Sequence, residues 1–168
     1  AFSNHDAPRA ISRWAAPQDR DAFARLAMLL LMCLRGDVFV YQGEELGLDQ
    51  VAIDFADLKD PEAISNWPLT LGRDGARTPM PWSAELPGLG FSAADKPWLP
   101  LGPGHRALAV SAQEQAHDSM LALTRRLIML RHDYDALLLG EMTIIEASDA
   151  VLVFERSIPG ETLLCAFN

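Results

Sequence analysis

The sequence predicts an α/β fold followed by a small antiparallel β-sheet, and two observations support this prediction. An amphipathic helical pattern over about residues 20–35 precedes a continuous apolar run at 38–42, and this order indicates a βαβ unit with a parallel sheet. After Gly140 the apolar period becomes that of short strands separated by turn residues. We therefore expect one unit over residues 1–137 and a second unit over residues 138–168.

The first helix is predicted from apolar residues that recur at intervals of three and four positions. These residues are Phe23, Leu26, Ala27, Leu30, Leu31 and Leu34. Gly36 fits the position just after the helix. The run 38–42 has no polar alternation before Gln42, so we expect a strand that is buried on both faces.

Residues 43–110 hold most of the prolines and glycines, together with Trp67, Trp82 and Trp98, and predict a long, packed and irregular segment. A second helix is predicted from Ser111 or Ser119 to His132, with Asp118 or Ser119 as its cap. Strands at 142–146, 151–156 and 162–167 are separated by turn residues. This spacing predicts an antiparallel meander.

The composition is that of a globular protein, because 49% of the 168 residues are hydrophobic and 22% are charged. A formal net charge of −9 disfavours binding to nucleic acid or to anionic membranes. The sequence has no visible signal peptide, and its longest apolar stretch, 26–34, is too short to span a bilayer, so we expect a cytoplasmic protein. Both ends fall beside strand-like runs, which suggests a piece of a longer protein.

The two cysteines, Cys33 and Cys165, lie in apolar runs without CxxC spacing. We expect two buried free thiols, with a disulfide bridge as the alternative. No zinc, dinucleotide, phosphate-loop or nucleophile-elbow motif occurs, so neither a metal nor a cofactor is expected. The series Asp49, Asp54, Asp57 and Asp60 resembles a calcium loop only loosely, and we interpret it as a solvated face.

Three segments carry residues that suit chemistry. The first is Asn4-His5-Asp6, at the end of a strand-like start, and its alternative interpretation is an Asx turn with a surface histidine. The second is 41–45, where Glu44 and Glu45 follow the predicted strand; either could instead pair with a structural arginine. The third is 72–82, where Arg77 lies in a stiff loop and could bind a ligand's hydroxyls or form a structural salt bridge.

The order and spacing of these segments resemble one known family. The chain resembles the C-terminal part of an α-glucosidase, in the oligo-1,6-glucosidase-like branch of the α-amylase superfamily of glycoside hydrolases. The resemblance covers essentially all 168 residues. It is carried by Phe2-Ser3-Asn4-His5-Asp6, Tyr41-Gln42-Gly43-Glu44-Glu45, Asn66-Trp67-Pro68, Gly72-Arg73-Asp74-Gly75, Arg77-Thr78-Pro79-Met80-Pro81-Trp82 and Pro97-Trp98-Leu99-Pro100-Leu101.

The resemblance implies a fold, with residues 1–137 as the last two β/α units of an eight-stranded TIM-type barrel. Residues 138–168 would begin the C-terminal antiparallel β domain. A complete barrel of this type needs roughly 250 residues, more than this chain has. The family's nucleophile, general acid and metal-binding loop would lie upstream, outside this sequence, so the chain alone is expected to be inactive and to self-associate.

The resemblance also implies roles for three residues. Asp6 would stabilise the oxocarbenium-like transition state, His5 would hydrogen-bond the sugar in the cleavage subsite, and Arg77 would clamp the glucose at the non-reducing end. The parent would be a retaining α-glucosidase that releases terminal α-linked glucose from α-glucosides and malto- or isomalto-oligosaccharides. A transglucosylase or isomerase of the same fold and a non-catalytic amylase-like subunit remain alternatives.

Overall fold

The computed structural model describes residues 1–70, 72–94 and 96–168. In these residues, helices and irregular segments come first, and a three-stranded sheet follows. The α-helices are α1 (Ala10–Trp14), α2 (Arg20–Cys33), α3 (Pro61–Asn66), α4 (Val110–Glu114), α5 (Met120–Asp133) and α6 (Asp135–Leu139). The strands are β1 (Glu141–Ala147), β2 (Leu152–Ile158) and β3 (Glu161–Phe167). Short 3-10 helices lie at Pro17–Asp19, Glu44–Leu46, Phe55–Asp57, Asp74–Ala76 and Pro87–Gly90.

The two longest helices, α2 and α5, pack against each other and form the main core. Met28, Leu31 and Met32 of α2 are buried together with Met120 and Leu127 of α5. This confirms a helix over most of residues 20–35, although α2 ends two residues earlier. Of the predicted apolar stripe, Leu31 lies in this buried set, whereas Leu26, Leu30 and Leu34 pack, partly buried, against the cluster around Phe154. Within the described part of the chain, no helix is both long and apolar enough to cross a membrane.

The second predicted helix is two helices, α4 and α5. The hydroxyl of Ser119 accepts a hydrogen bond from the backbone N of Ala122 at 3.1 Å and donates one to the carbonyl of Gln113 at 2.8 Å. The prediction of Ser119 as the cap is confirmed, and Asp118 is not the cap. Ser119 itself is not helical, because an N-cap residue has extended backbone angles, and α5 therefore begins as a separate helix at Met120.

The prediction of a doubly buried strand at 38–42 is wrong for this structure. No strand is assigned there, and the side chain of Phe39 is 67% exposed. A strand is defined by its hydrogen-bonded neighbours, and no described segment pairs with this one in a sheet. The eight-stranded barrel therefore stays a prediction.

The segment between residues 43 and 110 is irregular and packed, as predicted. Its secondary structure consists mostly of short helices, and Val51, Ile53, Leu58 and Ala63 form a buried cluster of their own. This segment lies beside the loop at residues 1–9, and so brings together residues distant in sequence.

The C-terminal strands form an antiparallel meander in the order β1–β2–β3, which confirms the prediction. Phe154 lies opposite Ile144 on one side and Cys165 on the other, and the register shifts between Ile144 and Glu146. Phe154, Cys165 and Phe167 are buried against Cys33 of α2 and Leu137 of α6. The sheet therefore shares its core with the helices, and a domain boundary at residue 138 stays a prediction.

Both cysteines are free and buried, as expected. Burial is the main cause, and the neighbouring thiol of Cys165 the second, of a pKa of the Cys33 thiol that is raised to about 12.

Candidate active site

The loop at residues 1–9 presents Asp6 through a tight local turn. The backbone N of Asp6 donates to Oδ1 of Asn4 at 2.8 Å, which is the Asx turn that the sequence allows. The imidazole of His5 is exposed, and its Nε2 lies 3.2 Å from Oδ2 of Asp6. The alternative interpretation of Asn4-His5-Asp6, an Asx turn with a surface histidine, is therefore present, and the catalytic interpretation stays a prediction.

Two arginines from the segment that follows α3 reach the other oxygen of Asp6. Nη2 of Arg77 donates to Oδ1 of Asp6 at 3.1 Å, and Nη1 of Arg73 donates to the same oxygen at 3.3 Å. Nε of Arg77 also donates to the carbonyl of His5 at 2.8 Å. The salt bridge expected as an alternative for Arg77 is thus made with Asp6, the predicted site carboxylate.

Arg73 is held in place by a buried carboxylate. Nε and Nη2 of Arg73 donate to the two oxygens of Asp60 at 3.0 and 2.8 Å, a bidentate pair. The backbone N of Arg73 also donates to Asp60, at 2.8 Å. These hydrogen bonds from Arg73 hold the pKa of Asp60 well below its usual range, and the pairing raises the pKa of Arg73.

The prediction that the aspartates from 49 to 60 form a solvated face is wrong for Asp60. Its carboxylate is fully buried because it serves both the N-terminus of α3, through the backbone N of Glu62, and the guanidinium of Arg73. Asp49 pairs with Arg20 at 2.6 Å and Asp57 pairs with Lys96 at 2.6 Å. Within residues 1–70, 72–94 and 96–168, no group of three His, Cys, Asp or Glu side chains could hold a metal ion.

The segment 41–45 contacts the backbone next to Arg77. The backbone N of Tyr41 donates to Oε2 of Glu44 at 2.8 Å, and the hydroxyl of Tyr41 donates to the carbonyl of Ala76 at 2.9 Å. Burial raises the pKa of Glu45. Among the described residues, neither glutamate forms the arginine salt bridge that we considered as their alternative role.

A groove of about 480 Å³ lies beside Arg77. Its walls include Tyr41 and three aromatic side chains that are half exposed or more, namely Trp82, Phe91 and Trp98. Each of these tryptophans lies in a segment that carries the family resemblance.

The structure thus brings the three predicted site residues, His5, Asp6 and Arg77, into one cluster, and their catalytic roles stay predictions. Sequence reasoning missed Arg73 and Asp60. The available signal for Asp60 was its position before Pro61, which is the usual N-cap and first-turn pair of a helix. Nothing local distinguishes Arg73 from other loop arginines.

Comparison with known proteins places this cluster in context. The family model of the α-amylase catalytic domain matches residues 1–140. A probable α-glucosidase from Rhizobium meliloti is 47% identical over 169 residues, which cover 100% of this chain and 30% of that protein. A glucan 1,6-α-glucosidase from Streptococcus dysgalactiae subsp. equisimilis is 30% identical, with 99% of this chain and 34% of that protein covered.

Solved structures of related enzymes are also similar to this chain. An α-glucosyl transfer enzyme superposes with a TM-score of 0.93 at 46% identity, covering 99% of this chain and 31% of that one. The trehalulose synthase of Pseudomonas mesoacidophila superposes with a TM-score of 0.85 at 30% identity, covering 98% of this chain and 33% of that one. The chain therefore spans about a third of the length of these relatives. Since the family model matches most of its residues, the chain belongs to the α-amylase catalytic-domain family.

Proposed function

We propose that this chain is part of a retaining α-glucosidase that releases terminal α-linked glucose from short oligosaccharides. The observation that carries the proposal is the cluster around Asp6, whose carboxylate is shared by His5, Arg73 and Arg77. The carboxylate suits a sugar whose anomeric carbon becomes positively charged during the reaction. The N–H donors around it suit the neutral hydroxyls of the same sugar.

In this mechanism Asp6 acts electrostatically. Cleavage of a glycosidic bond passes through an oxocarbenium-like transition state. A fixed carboxylate beside the developing charge stabilises the transition state more than the ground state, and so accelerates the reaction. Asp6 neither attacks the sugar nor donates a proton to the leaving group.

His5 and Arg77 bind and orient the glucose. A guanidinium carries more N–H donors than the two contacts of Arg77, to His5 and Asp6, employ. A sugar hydroxyl can take up the remaining donors, or replace Asp6 as acceptor. The nucleophile and the general acid, which stand roughly 5–5.5 Å apart in retaining enzymes, would come from segments outside this sequence.

A second candidate is glucosyl transfer or sucrose isomerisation. It is favoured by two of the solved structures that resemble this chain, because one is named an α-glucosyl transfer enzyme and the other a trehalulose synthase. Hydrolysis and transfer share the same glucosyl donor chemistry and differ in whether water or another hydroxyl accepts the sugar. A non-catalytic amylase-like subunit is the third candidate, disfavoured because the cluster around Asp6 is intact.

The test is an Asp6→Asn substitution in the complete polypeptide that carries this chain. We expect kcat for p-nitrophenyl α-glucoside to fall on the order of 100- to 1,000-fold, because one stabilising charge is lost. Asp149→Asn, in an exposed turn, serves as the control and should leave kcat unchanged.

Product analysis with maltose, isomaltose and sucrose then separates the candidates. Glucose as the main product supports hydrolysis, whereas new disaccharides or glucosides support transfer or isomerisation. A loss of less than tenfold in Asp6→Asn contradicts the role of Asp6, and an inactive wild-type protein supports the non-catalytic subunit.

A further inference from the structure

A buried arginine, Arg9, joins the loop of Asp6 to the two segments behind it. Arg9 is three residues after Asp6 and is only 1% exposed. Its Nη1 donates to the carbonyl of Gln42 at 2.7 Å, and its Nη2 donates to the carbonyl of Ala76 at 3.1 Å. Its guanidinium also lies 5.3 Å from the centre of the Tyr41 ring. One buried cation therefore links the loop at residues 1–9 to two other segments, one at residues 41–42 and one at residue 76.

The carbonyl of Ala76 receives an unusual share of these contacts. Besides Nη2 of Arg9, the hydroxyl of Tyr41 donates to it at 2.9 Å, and Nε2 of Gln42 donates to it at 3.4 Å. Ala76 directly precedes Arg77, and the peptide unit between them is planar. Donors that fix the Ala76 carbonyl therefore also fix the backbone N and the Cα of Arg77, the atom from which its side chain leaves the backbone.

The backbone of Arg9 is tied to the same region by a second route. Its N donates to Oε1 of Gln50 at 3.0 Å. Gly75 lies so close to residues 50 and 51 that an added Cβ would stand 2.4 Å from Nε2 of Gln50 and 2.2 Å from the carbonyl of Val51. The side chain and the backbone of Arg9 thus both hold the turn just before Arg77.

We propose that Arg9 is a positioning residue that sets the orientation of Arg77 toward Asp6. The proposal rests on the function proposed above. Arg9 lies behind the cluster and makes no contact with Asp6, so it acts only through the peptide unit of Arg77. If burial alone were required, an apolar side chain of similar volume would stabilise the fold at least as well. The two directional hydrogen bonds to carbonyls are what an apolar residue cannot supply.

The experiment uses Arg9→Lys and Arg9→Met in the complete polypeptide. A lysine keeps the positive charge but cannot reach both carbonyls at once. We expect kcat/KM for p-nitrophenyl α-glucoside to fall roughly 10- to 100-fold in both variants, since a small displacement of a substrate-binding group has effects of this size.

Arg156→Lys is the matched control. Arg156 is fully buried and also donates to two carbonyls, those of Cys33 at 2.7 Å and Gly140 at 2.9 Å, but it lies in the sheet, away from Asp6. This variant should lose thermal stability like Arg9→Lys while keeping kcat/KM within about twofold. Equal kinetic losses in the two variants would overturn the proposal, because they would trace to general destabilisation.

A double-mutant cycle tests whether Arg9 acts through Arg77. In an Arg77→Ala background, Arg9→Lys should change kcat/KM by less than about threefold, because the group that it positions is gone. Multiplicative losses in the double variant would show that Arg9 and Arg77 act independently, and would refute the inference.

Hydrogen exchange gives a readout that needs no activity. Peptides that cover residues 73–80 should exchange faster in Arg9→Lys than in the wild type and in Arg156→Lys. If the wild type hydrolyses or transfers no glucose, the proposed function fails, and unchanged exchange in these peptides overturns the positioning role separately.

Discussion

At the scale of single residues, the two oxygens of Asp6 have different partners. Oδ1 accepts from Arg73 and Arg77, whereas Oδ2 faces His5. A sugar that approaches this carboxylate therefore meets one oxygen with two arginine partners and one with only the histidine. Arg73 is anchored by Asp60, while the other hydrogen bond of Arg77 to a described residue goes to the backbone carbonyl of His5. Arg77 is thus the arginine that can exchange Asp6 for a substrate hydroxyl.

This difference predicts the outcome of Arg77→Lys in the complete polypeptide. Lysine is a point charge and cannot donate to the His5 carbonyl and to Asp6 in one planar contact. We expect kcat/KM for terminal α-glucosides to fall by an amount equivalent to about 2–3 kcal/mol. Steady-state kinetics measures this loss, and Arg20→Lys, which alters an ion pair with Asp49, is the control. A lowered melting temperature with unchanged kinetics would instead assign Arg77 a purely structural role.

Residues 5, 6 and 77 could be found from the sequence because their signals are local. Asn4-His5-Asp6 and Arg77-Thr78-Pro79 are short motifs whose residue types suit the chemistry wherever the chain places them. Arg73 could not be found in this way, because its role depends on Asp60, thirteen positions earlier, being buried beneath it. The role proposed for Arg9 is not visible in the sequence either, since its burial and its contacts with residues 42 and 76 are tertiary.

At the scale of elements, the turn that carries the arginines is fixed by two aspartates. Oδ2 of Asp74 accepts from the backbone N of Lys59 at 2.6 Å and from that of Asp60 at 2.8 Å. Asp60 in turn caps α3 and binds Arg73. Gly72 closes the turn with a φ of +59°, and an added Cβ there would stand 2.3 Å from the Cβ of Ala63. Residues 72–74 are therefore held closely against residues 59–63 at the start of α3.

The Asp60–Arg73 pair predicts a specific acid dependence of stability. The pKa of Asp60 is lower in the folded protein than the usual value of about 3.9. Its contribution to stability is therefore complete above about pH 4 and is lost as the pH falls toward the folded pKa. Melting temperatures measured from about pH 6 to pH 2.5 should fall more steeply below pH 4 in the wild type than in Asp60→Asn.

The control for this pH series is again Asp149→Asn, in an exposed turn. Its melting temperature should fall below pH 4 as steeply as that of the wild type. Asp60→Asn should also be less stable than the wild type at pH 7, because Arg73 loses a charged partner. Parallel acid limbs in the wild type and in Asp60→Asn would mean that another carboxylate governs acid unfolding.

Helices were easier to predict than the strand, and the reason is physical. The period of apolar residues in α2 and α5 is a property of each helix alone. The run 38–42 has the composition of a strand, but a strand needs partners, and no described segment supplies one. The meander was predictable because each of its strands pairs with a neighbour in sequence.

At the scale of the whole molecule, large apolar side chains are exposed on several faces. Phe39, Leu139 and Leu164 are each at least 67% exposed. The groove beside Arg77 adds Trp82 and Trp98, which are more than half exposed. Exposed apolar side chains that lie together, as these tryptophans do in the groove, mark sites of association in soluble proteins. A net charge of −9 opposes that association only weakly at moderate salt, because exposed charges are screened.

These surfaces predict how the 168-residue chain behaves when it is expressed by itself. Its run at 38–42 pairs with no described strand and carries an exposed phenylalanine, which favours pairing between copies. We expect it to elute from size exclusion well above its 18.5 kDa mass and to melt without a cooperative transition. We also expect no hydrolysis of p-nitrophenyl α-glucoside, because one stabilising carboxylate cannot replace a nucleophile and a general acid. The complete polypeptide, purified in parallel, is the reference for both measurements. A monodisperse monomer with a sharp melt would refute the packing argument, and turnover by the chain alone would refute the assignment of Asp6 as a stabiliser that needs partners outside this sequence.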